Sequence, residues 1–469
     1  MLKNWDIIIV GAGTAGIPAA IFSAKRGQSV LVLDSAKEIG GTLHLSSGQM
    51  SAAGTKLQRS KGITDSSDMH YNDIMRISKN TAHPQLTRLA VDNASETLNW
   101  LEQLGFQPLA EHPVKGQAHE PYSVPRYVWG KDKGISILDA ITAPFNEAIS
   151  ADNVELKLNT RVKELTTASN GAVNGVIAST KDNKRVKFSA KNIILTAGGY
   201  AANRILYEEL SGHPAYADHS YPYCIGDALS LSLDVGGVAY GHDNFLTSFG
   251  AIMQSYDVPS KIRFRPNHWP EKRMPWEIYV NAHGKRFIRE DEPSVDTREH
   301  TIQKQPNMRH WIIFDSTTLK EAPPLINDVN TEIIRKAAED GDPMFYKANT
   351  ISQLASKAGL PSEVLNETVI KYNIGRAKNS DAFNRIHMPR PIDAPPFYAI
   401  RSQAMSVSST VGVKVDNKLR VVNSNGEHIP GLYAAGESLG TAMMGSSFCG
   451  GMLVTPALTF GKILGESLS

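Results

Sequence analysis

The spacing of apolar residues changes several times along the 469-residue chain. Residues 6–10 (DIIIV) form an unbroken apolar run of the kind that a strand buried on both faces requires. The run ends on glycines. Residues 17–26 then read as an Ala-rich helix, and a second apolar run, 29–34 (SVLVLD), closes on an acid. This strand, helix, strand order predicts a parallel pair joined by a crossover helix. Between 81 and 105, Leu86, Leu89, Ala90, Val91, Leu98 and Leu101 recur near helical spacing. Residues 153–188 are strand-rich, with turns expected at Asn170-Gly171 and Asp182-Asn183. Further strands are expected at 190–199 (AKNIILTAGG) and 431–437 (GLYAAGE), with helices at 226–236 and 455–468.

From about 237 to 396 this rhythm gives way to prolines, charge and aromatics, with amphipathic helices near 331–339 and 361–378. After it, 397–401 and 411–422 return to strands, read as strands of the first domain. The expected fold is α/β. A Rossmann-type nucleotide-binding domain is formed by 1–236 and 397–469, and a smaller α+β domain, 237–396, is inserted within it.

Composition narrows the function classes. A chain this long exceeds one ordinary core and predicts two or three domains. The net charge of +2 gives no argument for nucleic acid or an anionic membrane as partner. Two cysteines, Cys224 and Cys449, exclude a disulfide framework and a Cys-rich metal or haem motif, so no metal is expected. No apolar run reaches the roughly 18 residues of a membrane helix. The early strand leaves no room for a leader, so a cytoplasmic location is expected.

The first glycines carry the strongest chemistry. Gly11, Gly13 and Gly16 follow a strand, open a helix, and precede a second strand that ends on Asp34, close to the expected separation of about 20 residues. The first glycine permits the turn, the second lets the backbone approach a pyrophosphate, and the third lets helix and strand pack closely. The helix N-terminus, with Ala15, offers free N–H groups to phosphates. Asp34, with Ser35 beside it, would accept from ribose hydroxyls and repel a 2′-phosphate. The loop 39–50 is small and polar, with Gly41, Thr42, Ser47 and Gly48 placed to wrap the pyrophosphate. Near the other end, Gly436 and Glu437 close a second apolar strand before a Gly-rich stretch and the last helix. One nucleotide site is thus written in two pieces, separated by most of the chain.

These residues resemble the fumarate reductase and ketosteroid dehydrogenase flavoproteins. The resemblance rests on VGAGTAGIPAA, the GGT…SSG loop, the Arg161-Val162 pair, ILTAGG, Ile225-Gly226-Asp227, Gly284-Lys285-Arg286-Phe287, and GLYAAGE…GGMLVTPALTFG. It implies FAD, with Val162 at the adenine, Ala197 and Gly198 beside the nucleotide, and Glu437 near the ribityl or phosphate region. Leu453 and Val454 would open the last helix toward the flavin pyrimidine edge, where its dipole favours a reduced flavin. Covalent relatives use a histidine that aligns with Thr42. His44 lies two residues further on, so the flavin is expected to be non-covalent. The inserted domain is expected to cap it.

The family moves a hydride between flavin and one carbon of a C–C bond beside a carbonyl, while a side chain moves a proton at the next carbon. In the three segments where fumarate reductases anchor carboxylates with His, His and Arg, this chain has 245–249, 408–412 and 447–451, with no basic residue. A dicarboxylate would lose charge-assisted bonds of roughly 1.5–3 kcal/mol each. Ketosteroid dehydrogenases keep tyrosines where this chain has Ser294 and Phe448. A neutral, alicyclic or aromatic substrate is therefore expected.

The catalytic candidates are Tyr122, Arg126 and Tyr127 in an aromatic, Pro-stiffened segment, with Arg126 expected to lower a phenol pKa. The other candidates are Glu290 and Arg298 (with Arg286 nearby) in the region of the family's proton relay, and Ser409 as a hydroxyl for a carbonyl. For each, a structural role stays open: the aromatics as packing, the charges as a solvated face. Expected partners are a small-molecule substrate and an external electron carrier or acceptor. An oxidase or hydroxylase using O2, and a flavin-bearing interaction protein, remain the alternatives.

Overall fold

The structure is a computed structural model that describes residues 4–117, 119–327 and 329–469. Residues 1–3 of the first expected domain lie outside it. The chain forms two compact units, Met1–Gly212 with Ser220–Leu246 and Ser408–Ser469, and His213–His219 with Thr247–Val407.

The first unit is built on an eight-stranded sheet. Its central parallel strands are His428–Ala434, Arg185–Leu195, Asn4–Val10, Val30–Leu33 and Val154–Lys157, in that spatial order. Ile7, Ile8 and Ile9 have no solvent exposure, as a strand covered on both faces demands. Registers bring four strand ends level: Val10 lies opposite both Leu33 and Leu195, and Leu195 lies opposite Ala434. Arg161–Thr167 and Val173–Ser179 extend the sheet as an antiparallel meander, with Gly171 and Asn183 at positive φ in the two expected turns.

The helix Gly16–Lys25 packs against the last helix, Val454–Ser467. The contact is too close for side chains at two points. A Cβ on Gly461 would collide with the Ala15 carbonyl, and one on Gly465 would sit 2.6 Å from the Ala19 carbonyl oxygen. The helix expected at 81–105 is Pro84–Gln103, started by proline at its first turn and by the His83 side chain accepting from the Leu86 amide.

The second unit holds a six-stranded sheet. Ile262–Phe264, Ser248–Met253, Phe397–Met405, Arg309–Asp315 and Ile278–Val280 follow one another, and Phe345–Ala348 also pairs with Phe397–Met405. Ile278, Val280, Ile313, Leu354 and Leu365 are among its core residues, under the helices Ile351–Ala358 and Ser362–Ala377. Residues 397–401 do form a strand, but it belongs to this sheet and not to the nucleotide sheet. Alternating apolar residues predict a strand; its hydrogen-bond partners, all drawn from 248–348, are set by tertiary pairing that the local pattern does not encode.

Among the described residues no helix is long and apolar enough to cross a membrane. None of their His, Cys, Asp and Glu side chains cluster in metal-ligating groups of three or more.

Candidate active site

Because the four strand ends are level, the residues that follow them meet at one edge of the sheet, where ligands bind in open α/β folds. Gly11 turns at φ +112°, and a Cβ there would lie 2.5 Å from the Thr196 carbonyl oxygen. A Cβ on Gly16 would strike the Gly11 carbonyl. Gly13 differs: a Cβ there would make only ordinary contact, with Gly41 Cα the nearest atom at 3.9 Å, while one on Gly41, at φ +53°, would lie 3.3 Å from Gly13 Cα. The two glycines thus bring bare backbone from two loops close together.

Asp34 ties the glycine loop to its own strand end. Its Oδ2 accepts the Ala12 N–H at 2.6 Å and its Oδ1 the Ala36 N–H at 2.7 Å. Burial raises its pKa, opposed by these two amides. Each oxygen keeps a lone pair for a further donor. Ser35 is half-buried beside it. Thr42 lies in a short 3-10 turn, Gly41–His44, and the His44 Nε2 bonds the Ile39 carbonyl at 2.8 Å. Ser47 is exposed, while Gly48 is buried at φ +64° against the Lys133 carbonyl.

From the third strand end, Thr196 Oγ1 donates to the Gly11 carbonyl at 2.8 Å, and Ala197 and Gly198 follow it. From the fourth, Gly436 turns at φ +76°, where a Cβ would lie 3.1 Å from Ala15 Cβ. Glu437 is half-buried, its carboxyl is desolvated, which raises its pKa, and its Oε1 accepts the Ser409 N–H at 3.1 Å. Val162 is buried on the meander, next to the Arg161–Asp227 ion pair. The helices that begin after Ala15 and Leu453 lack a side-chain cap and carry no acid in their first turns. Of their leading amides, those of Ile17 and Thr455 bond the Gly13 and Gly451 carbonyls at 3.1 and 3.0 Å, and Pro18 and Pro456 have none, so Gly16 and Val454 carry the N–H groups left to face an anion or a polar ring edge.

The segment containing Tyr122, Arg126 and Tyr127 packs on the turn before the last helix. Tyr122 Oη donates to the Gly450 carbonyl at 2.5 Å, Tyr127 Oη donates to Gln49 Oε1 at 2.6 Å, and the His119 ring stacks on Phe448 at 3.8 Å. Arg126 is fully buried. It forks onto Asp65 at 2.9 and 2.8 Å and reaches Asp73 at 2.6 Å. Arg126 acts to lower the Tyr122 pKa, as expected, but burial outweighs it and pushes Tyr122 up, and Tyr127, where Arg126 does not contribute, is pushed up as well. Two carboxylates, Asp65 and Asp73, hold the Arg126 charge, and its effect on Tyr122 is smaller than that of burial.

Ser409 is also corrected as a group free to hold a carbonyl. It is fully buried, its Oγ accepts the Tyr200 N–H at 2.7 Å, and its backbone N–H is held by Glu437. It fastens three chain segments together.

In the second unit, Glu290 is fully buried. It accepts from Arg286 at 2.8 and 2.6 Å, from Arg385 at 2.9 Å and from the Tyr279 N–H at 3.1 Å. Neither of its oxygens bonds Arg298, so a relay between the two is not built here. Arg298 stands apart in the helix Val295–Gln303. It is 2% exposed, lies 4.5 Å from the Phe249 ring centroid, and its Nη1 and Nη2 find no acceptor among the described residues. His310 and His268 line the same cluster. Burial holds both imidazoles well below their usual range, His310 at about 3, and Arg298 adds to the effect.

Comparison with known proteins settles the family. A model of the FAD binding domain matches residues 6–453. The chain belongs to the FAD binding domain family. Three relatives align over almost all of it. A cytochrome-linked fumarate reductase of Shewanella frigidimarina is 26% identical, covering 98% of this chain and 76% of that protein. A urocanate reductase of Eggerthella lenta is 26% identical over 98% and 74%, and a vinyl phenol reductase of Lactiplantibacillus plantarum 24% over 92% and 89%. The open form of a flavocytochrome c3 fumarate reductase superposes with TM-score 0.74 at 26% identity, over 99% and 78% of the two chains. A 3-ketosteroid Δ1-dehydrogenase of Sterolibacterium denitrificans superposes with TM-score 0.77 at 19% identity, over 99% of both, and shares the fold. The sequence reading of an FAD-dependent oxidoreductase of CH–CH groups in the fumarate reductase line holds, and the likeness to ketosteroid dehydrogenases is one of fold.

The residues present fit FAD. Gly13 and Gly41 present backbone without side chains that a pyrophosphate can approach, Asp34 retains lone pairs for ribose hydroxyls, and two helix starts lack side-chain caps. What sequence reasoning missed is His119, stacked on Phe448. The aromatic segment and Phe448 were each visible, but nothing in the sequence pairs them.

Proposed function

We propose that this FAD-dependent enzyme reduces a carbon–carbon double bond conjugated to a carbonyl or phenol in a neutral small molecule, with Arg298 delivering the proton. The observation that carries the reading is the Arg298 guanidinium, buried with two nitrogens that lack an acceptor. A buried cation without a partner costs several kcal/mol unless something completes it, and a substrate oxygen or carbon being protonated is such a partner. Phe249 packs against it, and His268 and His310, whose protonation its charge disfavours, add no positive charge of their own.

When bound, the flavin supplies the hydride. The side chains orient the acceptor and hold the proton. Phe448, stacked on His119, replaces the basic anchor expected for a dicarboxylate and favours a flat apolar body. The vinyl phenol and urocanate reductases among the relatives support the reducing direction. The flavin is held without a covalent bond, a reading supported by His44 being hydrogen-bonded to the Ile39 carbonyl. An external carrier supplies electrons.

The test is anaerobic. Holoenzyme reduced with dithionite is mixed with fumarate and with neutral enones and vinyl phenols, and flavin reoxidation is followed. Neutral acceptors should reoxidise it, fumarate should not, and Arg298→Gln should lower turnover at least 100-fold, in the range of general acid catalysis, with flavin retained. Reoxidation by fumarate alone, or by none of the panel, would overturn the reading. Undiminished turnover in Arg298→Gln would remove Arg298 as the donor.

A further inference from the structure

The second unit carries another pair of arginines, unrelated to the flavin chemistry. Arg309 lies opposite Gln403, and Arg401 lies opposite Trp311, in adjacent antiparallel strands. Gln403 and Arg401 are two residues apart on one strand, so Arg309 and Arg401 are diagonal neighbours on the same face of the sheet. Both are partly buried. Arg309 uses Nε on Gln403 Oε1 at 3.1 Å, and its Nη nitrogens have no acceptor among the described residues. Arg401 has only the Met344 sulfur at 3.8 Å, a poor acceptor, and its guanidinium lies 4.6 Å from the Tyr256 ring centroid.

Neither arginine has a carboxylate partner among the described residues, which is uncommon for two half-buried like charges so close together. Asp257 at the rim is exposed, accepts from Ser255 Oγ at 2.8 Å and pairs with neither. Asp342 is taken by Arg263. Burial lowers the pKa of both arginines, and in Arg401 the Arg309 charge adds to it. The fold thus keeps two mutually repelling cations together on the lining of a small, partly open pocket, whose walls include Tyr216, Tyr256 and Met344.

We propose that this pocket is a binding site for a small oxyanion, a carboxylate or a phosphate, held between the Arg309 and Arg401 guanidinium groups. Guanidinium forks match the two oxygens of either group, and an anion here removes the repulsion that the empty pair carries. The aromatic and thioether walls accept a small apolar body attached to it. The site lies within one unit and does not depend on the functional reading above.

Calorimetric titration of the holoprotein with inorganic phosphate and with benzoate, in a low-salt amine buffer, tests the assignment. At least one probe should bind with unit stoichiometry, and Arg401→Gln and Arg309→Gln should each weaken it at least tenfold without loss of flavin turnover. Binding of phosphate alone makes the natural ligand a phosphate ester or phosphate, and binding of benzoate alone makes it a carboxylate. Absence of binding by both probes, or unchanged affinity in both variants, overturns the proposal. Should one variant fail to fold, the other carries the comparison, and Arg401→Lys, which keeps the charge but not the fork, should fall between it and the native protein.

Discussion

The phenol of Tyr122 donates to the carbonyl of Gly450 at 2.5 Å, joining positions 328 residues apart. Gly450 belongs to the turn that leads into the last helix, so this bond fixes how that helix starts. Tyr122→Phe leaves the carbonyl buried without its donor, at a cost of about 1–3 kcal/mol. The expected result is a lower thermal midpoint and weaker FAD retention, with the pH profile of turnover unmoved. A displaced pH profile would instead make Tyr122 a proton carrier.

Asp34 holds the Ala12 and Ala36 amides as well as its expected ribose. Asp34→Ala should therefore purify largely without flavin, read from the ratio of flavin to protein absorbance. Full occupancy would show that the glycine loop keeps its shape and its ligand without the carboxylate.

Glu290 separates a structural carboxylate from a catalytic one. It binds Arg286 and Arg385 in a buried network, and removing one partner of such a network costs about 3–5 kcal/mol. Glu290→Gln should lower the urea midpoint while leaving the pH dependence of kcat where it was. An acidic limb that moves with this substitution would restore Glu290 as a relay group.

His310 gives acid sensitivity of predictable sign. Its folded pKa of about 3 lies below the ordinary 6.5, because burial, then the Arg298 charge, disfavours the imidazolium. Below pH 6.5 the unfolded chain takes up this proton and the folded chain does not, so stability falls as pH drops from 6.5 toward 3. The contribution is at most about 1.4 kcal/mol per pH unit. His310→Gln should flatten the curve of unfolding free energy against pH by up to that slope. An unchanged slope would mean that His310 takes up its proton in the folded state as readily as in the unfolded one.

Much of the nucleotide half was legible because its chemistry is local. Gly11, Gly13 and Gly16 are needed within one turn, and Asp34 bonds that turn directly, so spacing alone exposes them. The substrate half was less legible because its residues are defined by partners distant in sequence. Arg126 reads in sequence as a cation acting on a phenol, while the carboxylates that hold it, Asp65 and Asp73, lie 61 and 53 positions away. Glu290 and Arg298 stand close in sequence, yet one is saturated with hydrogen bonds and the other has unaccompanied donors. Ser409 lost its catalytic reading to a backbone amide from Tyr200, 209 positions away. The strand Phe397–Met405 shows the same limit at the level of topology, since its period is readable and its neighbours are not.

The contact between the first and last helices bears on how the molecule is made. Arg26 and Gln28 both bond the carbonyl of Leu468, the first across 442 positions, and Gly461 and Gly465 lie directly on the Ala15 and Ala19 carbonyls. During synthesis the glycine loop leaves the ribosome early, but the surface that its helix rests on leaves only after the whole inserted unit. The inserted unit, whose strands all arise between residues 248 and 405, has the means to fold in that interval. A nascent chain stopped before residue 454 would carry the loop, the acid and the inserted unit, and still have an unfinished floor for its cofactor.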